Sequence, residues 1–235
     1  MSDDSVVASF TTPTARTAYL WGHIIGNGSI TDDAIVVRFS DRNLASRLQS
    51  IGNQPSSLSH ETAANRSAHD ATITRFEETF ELRYSLGARA IDRLTDQLGI
   101  DAREEYVCPE LERFELHRRQ LCRGLLESCG TICFRESSAT VGVSFVHDDR
   151  GVLQEIRRQL RMSEPTVLTN SIEESSSGGY WFGLADATEF GACTRWWYAR
   201  SDDSGLYEPA RRKKLRRSVE RALERSVGEL HGDPE

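Results

Sequence analysis

Apolar and polar positions divide the chain into two runs that follow the same order. Residues 20–28 and 122–130 are short apolar stretches with glycine at the third and ninth places, the pattern of a helix closed by glycine. Each leads into β-branched residues and then into clustered β-formers, at 34–39 and 140–146, which predict paired strands. Asp41 stands before the helical pattern 44–51, and Asp148-Asp149 before 152–160. An acid at that place suits a helix N-terminus. Further strand pairs are predicted at 71–76 with 80–85 and at 166–172 with 180–185, and closing helices at 88–98 and 187–198. The polar run 53–69 reads as a long loop, 175–179 as a hairpin tip and 99–109 as a link between the runs. A last amphipathic helix over 208–230 carries an apolar stripe of Leu215, Val219, Leu223 and Val227.

The order helix, strand, strand, helix, strand, strand, helix thus occurs twice, with a repeat of about 100 residues, a reasonable small domain. The expected fold is α+β, two tandem αββαββα units: 15–99, a linker at 100–112, and 113–230 with the basic C-terminal helix. Gly22, Gly26, Gly124 and Ser128 give each motif helix a surface of small residues at four-residue spacing. Two helices approach closely only where side chains are small, so these four predict a seam between the units.

The motifs Leu20–Gly28 and Cys122–Gly130 resemble those of the LAGLIDADG homing endonucleases, and the run Arg123-Gly124-Leu125-Leu126-Glu127-Ser128-Cys129-Gly130 is the nearer of the two. The end of the chain is similar as well, with Gly205-Leu206-Tyr207 and then Arg212-Lys213 opening a last helix. The resemblance spans roughly residues 16–225. It implies a pseudo-two-fold saddle of two sheets over the seam, a monomer by virtue of carrying both units, and DNA as the partner, RNA being possible. In active members of that family the eighth motif positions are carboxylates that hold Mg²⁺, and two metals clamp the attacking and leaving oxygens of a phosphodiester. Here those positions are Asn27 and Cys129, a neutral amide and a soft sulfur. Glu127 remains at the sixth position, where helical geometry turns it to another side of the helix. No intact catalytic set and no cofactor are therefore expected, with Mg²⁺ entering only if cleavage survives. On the saddle, Arg38, Arg75 and Arg83 lie on predicted strands, placed for phosphates or guanine edges.

Charge narrows the picture. The 235 residues hold 36 acidic and 29 basic side chains, a net charge of −7, so any polyanion contact is local. The cations gather at 211–217, where Arg211, Arg212, Lys213 and Lys214 could hold a phosphate backbone. Five cysteines without a CxxC pair read as reduced, mostly buried thiols; the spacing of Cys122, Cys129 and Cys133 fits no standard zinc finger. His23 reads as a helix residue facing the neighbouring unit or partly solvated, a catalytic base being the sharper alternative. Trp181, Trp196 and Trp197 read as core and seam packing rather than base-stacking platforms. No membrane-spanning run or secretory signal is expected, which places the chain in the cytoplasm.

Three functions follow from this pattern. The first is nucleic-acid binding, in a regulatory role, on a catalytically degenerate endonuclease scaffold. The second is an endonuclease with unorthodox metal ligation, and the third a protein-interaction or structural module. Regulators that carry such degenerate domains add a helix-turn-helix, and no such pattern is present in this sequence.

Overall fold

The computed structural model describes residues 3–51, 56–66, 74–98, 111–164, 166–176, 178–185 and 194–230. Its elements run α1 (Asp3–Thr11), α2 (Ala15–Asn27), β1 (Ser29–Ile30), β2 (Ala34–Phe39), α3 (Arg42–Leu48), β3 (Ser56–Arg66), β4 (Thr74–Ser85) and α4 (Ala88–Leu98). A 3-10 helix at Leu111–His117 then leads to α5 (Arg118–Cys129), β5 (Gly130–Arg135), β6 (Thr140–His147), α6 (Arg150–Arg161), β7 (Glu173–Glu174) and β8 (Tyr180–Gly183). The short helices α7 (Thr194–Trp197) and α8 (Ser201–Ser204) precede the long α9 (Pro209–Leu230). Two antiparallel four-stranded sheets have the same order, β1-β2-β4-β3 and β5-β6-β8-β7. The fold is α+β.

Local chemistry sets the helix starts. Thr14 and Thr17 form a reciprocal capping box at α2, with Thr14 Oγ1 accepting from Thr17 N at 3.1 Å. Asp41 accepts from Leu44 N at 2.8 Å to start α3, and Asp149 caps α6 through Gly151 and Val152. Each sheet turns one face to the helices: Phe80, Leu82 and Tyr84 of β4, and Val141, Val143 and Phe145 of β6, are buried. Two positive-φ glycines, Gly178 at 93° and Gly179 at 74°, shape the hairpin tip before β8.

Several expectations need correction. The polar run 53–69 is no loop within its described part: Ser56–Arg66 is β3, paired with β4 along its whole length. Its sequence lacks alternation because an edge strand open to water needs little apolar surface; of its described side chains Leu58 packs against the core and His60 stacks on Phe80. The expected hairpin 71–76 with 80–85 is instead one strand, β4, from Thr74; residues 71–73 lie outside the described residues. At 166–172 a single bridge, Thr169 to Leu184, replaces the strand. Val167 turns inward there, its N–H donating to Leu160 O at 3.1 Å, and ladder pairing waits until Glu173. Of the helix 187–198 only Thr194–Trp197 is described as helical, 186–193 lying outside. The linker 100–112 also lies outside, except Leu111 and Glu112, which open the 3-10 helix.

On α9 the apolar stripe is rotated. Leu215, Ser218 and Ala222 are buried, whereas Leu223 is 57% exposed. Steps of four residues drift by about 40° against a helix of 3.6 residues per turn, so two such steps carry Leu223 off the packed face. Helix α1 has no counterpart in the sequence reading. Its Val6, Val7 and Phe10 are buried, and Phe10 O accepts from Trp21 Nε1 at 2.8 Å.

Candidate functional site

Helices α2 and α5 cross at their glycines. A Cβ added to Gly22 would fall on the Leu121 carbonyl oxygen and 2.9 Å from Gly124 Cα; one on Gly124 would fall on the Tyr19 carbonyl oxygen. One turn on, Gly26 faces Ser128, whose hydroxyl donates to Gly22 O at 3.1 Å. All four small residues therefore lie in one contact. The helices end at Gly28 and Gly130, both in extended backbone (φ −89° and −83°), not in the left-handed turn that a closing glycine suggests. Glycine stands there for space, since a Cβ on Gly28 would lie 2.7 Å from Ile24 Cα and 2.9 Å from Val36 O.

The last residues of these helices are the two motif positions. Asn27 is exposed, and its side-chain amide donates to Arg38 O at 3.4 Å. Cys129 is half-buried, its Sγ donating to Leu125 O at 3.3 Å and lying 3.2 Å from where a Gly26 Cβ would be. Burial pushes the Cys129 thiol up to about 12, against the lowering effects of Ser128 and Arg211. The same Arg211 charge acts on His23, so the first turn of α9 brings a cation to the place where two helix C-termini converge. A neutral amide, a protonated thiol and a guanidinium make a poor donor set for a hard divalent ion.

Glu127 is not presented at those ends. It is fully buried among Tyr19, His23, Arg123, Tyr198 and Glu208. The Tyr19 hydroxyl donates to Glu127 Oε2, while Glu127 Oε1 and the Tyr198 hydroxyl have no hydrogen-bond partner; the Glu208 backbone and Tyr198 lie near enough to lower the carboxyl's pKa. Burial dominates and raises its pKa to about 7. His23 Nε2 lies 3.8 Å from Glu127 Oε2, and neither ring nitrogen has a hydrogen-bond partner. Its ring packs between Tyr19 and Phe39, at centroid distances of 4.8 and 4.7 Å, and burial lowers its pKa to about 4. His23 is thus neither solvated nor open to a substrate. Arg123 is buried with its guanidinium 5.9 Å from the Tyr19 and Tyr198 rings. Glu208 ties the cluster to the first sheet by accepting from Ser40 N at 2.9 Å.

The strand arginines are engaged. Arg38 pairs with Glu81 at 2.9 Å, and Arg83 meets both oxygens of Asp33 at 2.9 and 3.0 Å. Arg75 lies on β4, its side chain outside the described residues. Arg212 is held by Asp202 and lies 4.8 Å from the Tyr207 ring. Lys213 and Lys214 are exposed. Of the thiols, Cys122 is buried and Cys133 exposed, while Cys108 and Cys193 lie outside the described residues. Trp197 is buried, but Trp181 is half-exposed on β8 and Trp196 stacks under Arg119 at 5.8 Å.

Sequence reasoning passed over Tyr19, Arg123, Tyr198 and Glu208 as members of one cluster. The available signal was two charged residues four apart, Arg123 and Glu127, on the helix that carries the small-residue seam. Among the described residues no helix is long and apolar enough to cross a membrane.

A LAGLIDADG family profile described as "Putative archaeal homing endonuclease" matches residues 2–225. No curated protein matches the chain. Among solved structures, the homing endonuclease I-WcaI bound to its DNA recognition sequence aligns with a TM-score of 0.53 at 10% identity, over 86% of this chain and 85% of that one. Full-length DUF199/WhiA from Thermatoga maritima aligns at 0.49 and 12% identity, over 100% and 68%. I-DmoI in complex with DNA and Mn aligns at 0.43 and 16%, over 79% and 96%.

Proposed function

The chain belongs to the LAGLIDADG family, and from that premise we propose that it binds DNA on this scaffold without cutting it. The carrying observation is the pair Asn27 and Cys129 at the converging ends of α2 and α5, a neutral amide and a thiol. Cleavage by this scaffold needs oxygen donors of high charge for divalent metal. Asn27 offers one neutral oxygen and Cys129 a protonated sulfur, so the residues present do not fit Mg²⁺. Glu127, the one motif carboxyl, is sealed in the seam and out of reach of a phosphodiester. DNA as partner is supported by the family and by the I-WcaI complex, whose fold this chain shares. A single chain holding both units would act as a monomer, occupying DNA in a regulatory role.

The test is to incubate the full chain with supercoiled plasmid and Mg²⁺ or Mn²⁺. Retarded but uncut plasmid is the expected result. Metal-dependent nicking or linearisation that Glu127→Gln abolishes would overturn the proposal and make the protein an endonuclease.

A further inference from the structure

Helix α9 lies against the edge strand β5 and leaves a groove of about 550 Å³ between them. One wall is β5 and its turn (Ile132, Cys133, Phe134 and Glu136), and the other is α9. Lys213, Lys214, Arg217 and Arg221 line the helical wall, all four exposed. No carboxylate pairs with them among the described residues, unlike Arg38, Arg83, Arg212 and Arg216, each of which has an acidic partner. Glu136 is the single acid of the lining. Lys213, Arg217 and Arg221 follow at four-residue steps, a line of about 12 Å along the helix. Over that length one strand of B-form DNA presents about four charges.

We propose that this groove, at the β5 edge of the second sheet, is a track for the phosphodiester backbone of a nucleic acid. The proposal rests on the DNA-binding reading above and adds where the backbone is held. Ion-paired arginines must give up a protein partner before they meet a phosphate, whereas these four cations have no carboxylate partner to give up among the described residues. The groove is therefore where a phosphate contact costs least, and the net charge of −7 confines such contacts to places like it. Cys133 sits in the opposite wall as an exposed thiol, so it reports occupancy without engineering.

The experiment alkylates the full chain with iodoacetamide, with and without duplex DNA at about 50 mM salt, where backbone contacts are strong. Alkylation is read at the Cys133 peptide by mass spectrometry. Bound duplex is expected to slow modification of Cys133. A variant with Lys213→Ala, Lys214→Ala, Arg217→Ala and Arg221→Ala is expected to lower the log–log salt slope by up to about 3.6, at about 0.9 per lost phosphate contact. The four side chains are exposed, so an unchanged thermal midpoint is expected; should the variant fail to fold, single replacements give about 0.9 each. Duplex that binds with Cys133 unprotected and the variant's slope unchanged would overturn the groove while leaving DNA binding standing. Protection by inorganic polyphosphate but not by duplex would overturn it too. Absence of any duplex binding would overturn both.

Discussion

Folding moves a proton within the seam, and this makes a measurable prediction. In the unfolded chain at pH 5.5 His23, with an ordinary pKa of 6.5, is charged and Glu127, with an ordinary value of 4.5, is ionised. In the fold, burial reverses both, to about 4 for His23 and about 7 for Glu127. Glu127 alone would make stability greatest at acid pH and fall as pH rises from 4.5 to 7, because the folded state keeps a proton the unfolded state has lost. His23 alone would do the opposite, its stability present above 6.5 and lost as pH falls towards 4. Between 4.5 and 6.5 the folded and unfolded pairs hold the same number of protons, so the two effects cancel. Removing one partner uncovers the other. Each uncompensated proton gives a slope of up to about 1.4 kcal/mol per pH unit, or about 2–3 kcal/mol across these two units. Glu127→Gln should therefore lose stability relative to wild type by about that much as pH is lowered from 6.5 to 4.5. His23→Phe, which keeps the ring between Tyr19 and Phe39, should lose a similar amount as pH is raised across the same window. Urea unfolding at pH 4.5, 5.5 and 6.5 measures both. The difference from wild type cancels the distant carboxylates, and Glu208, Arg123 and Arg211 remain present in every variant. Curves that run parallel to wild type for both substitutions would refute the account of the buried pair.

Other consequences are simpler. Gly124→Val should cost about 3 kcal/mol or more, because its side chain meets the Tyr19 carbonyl and Gly22 Cα, and backbone cannot yield as a side chain does; a thermal midpoint unchanged by it would deny the helix contact. Glu81→Gln frees Arg38 from its partner. It should cost under about 1 kcal/mol of stability, and it should steepen the salt dependence of DNA binding by up to about 0.9. An identical slope in a gel-shift series would show that Arg38 does not reach phosphate even when freed.

The seam and the helices were legible in the sequence because their signals are local. Gly22 and Gly124 announce close helix packing by their size, and Asp41 and Asp149 announce helix starts by the hydrogen bonds they accept. Strand β3 was not legible, since Ser57, Ser59 and Glu61 are held by backbone pairing to β4 and not by any apolar face. Helix α1 escaped for a related reason: Val6, Val7 and Phe10 lie in a polar N-terminal stretch, and only the docked surface gives them a core. The buried cluster was hidden by a default that ordinarily serves well. Charged residues on a helix are assigned to water, yet Arg123 and Glu127 point at Tyr19 and Tyr198, which are 104 and 71 residues away from Arg123 and Glu127 respectively. The arginines of the first sheet were legible as strand residues, but their partners Glu81 and Asp33 depend on register and a turn.

The central claim is that this chain holds DNA through backbone contacts and leaves it intact. Fluorescence anisotropy of labelled duplex DNA, titrated with the full chain in Mg²⁺ from about 50 to 200 mM salt, tests it most directly. Binding with a log–log slope of about −3 or steeper is expected, with the duplex recovered whole. Duplex DNA that stays unbound at the lowest salt, or that is recovered cut, would contradict it.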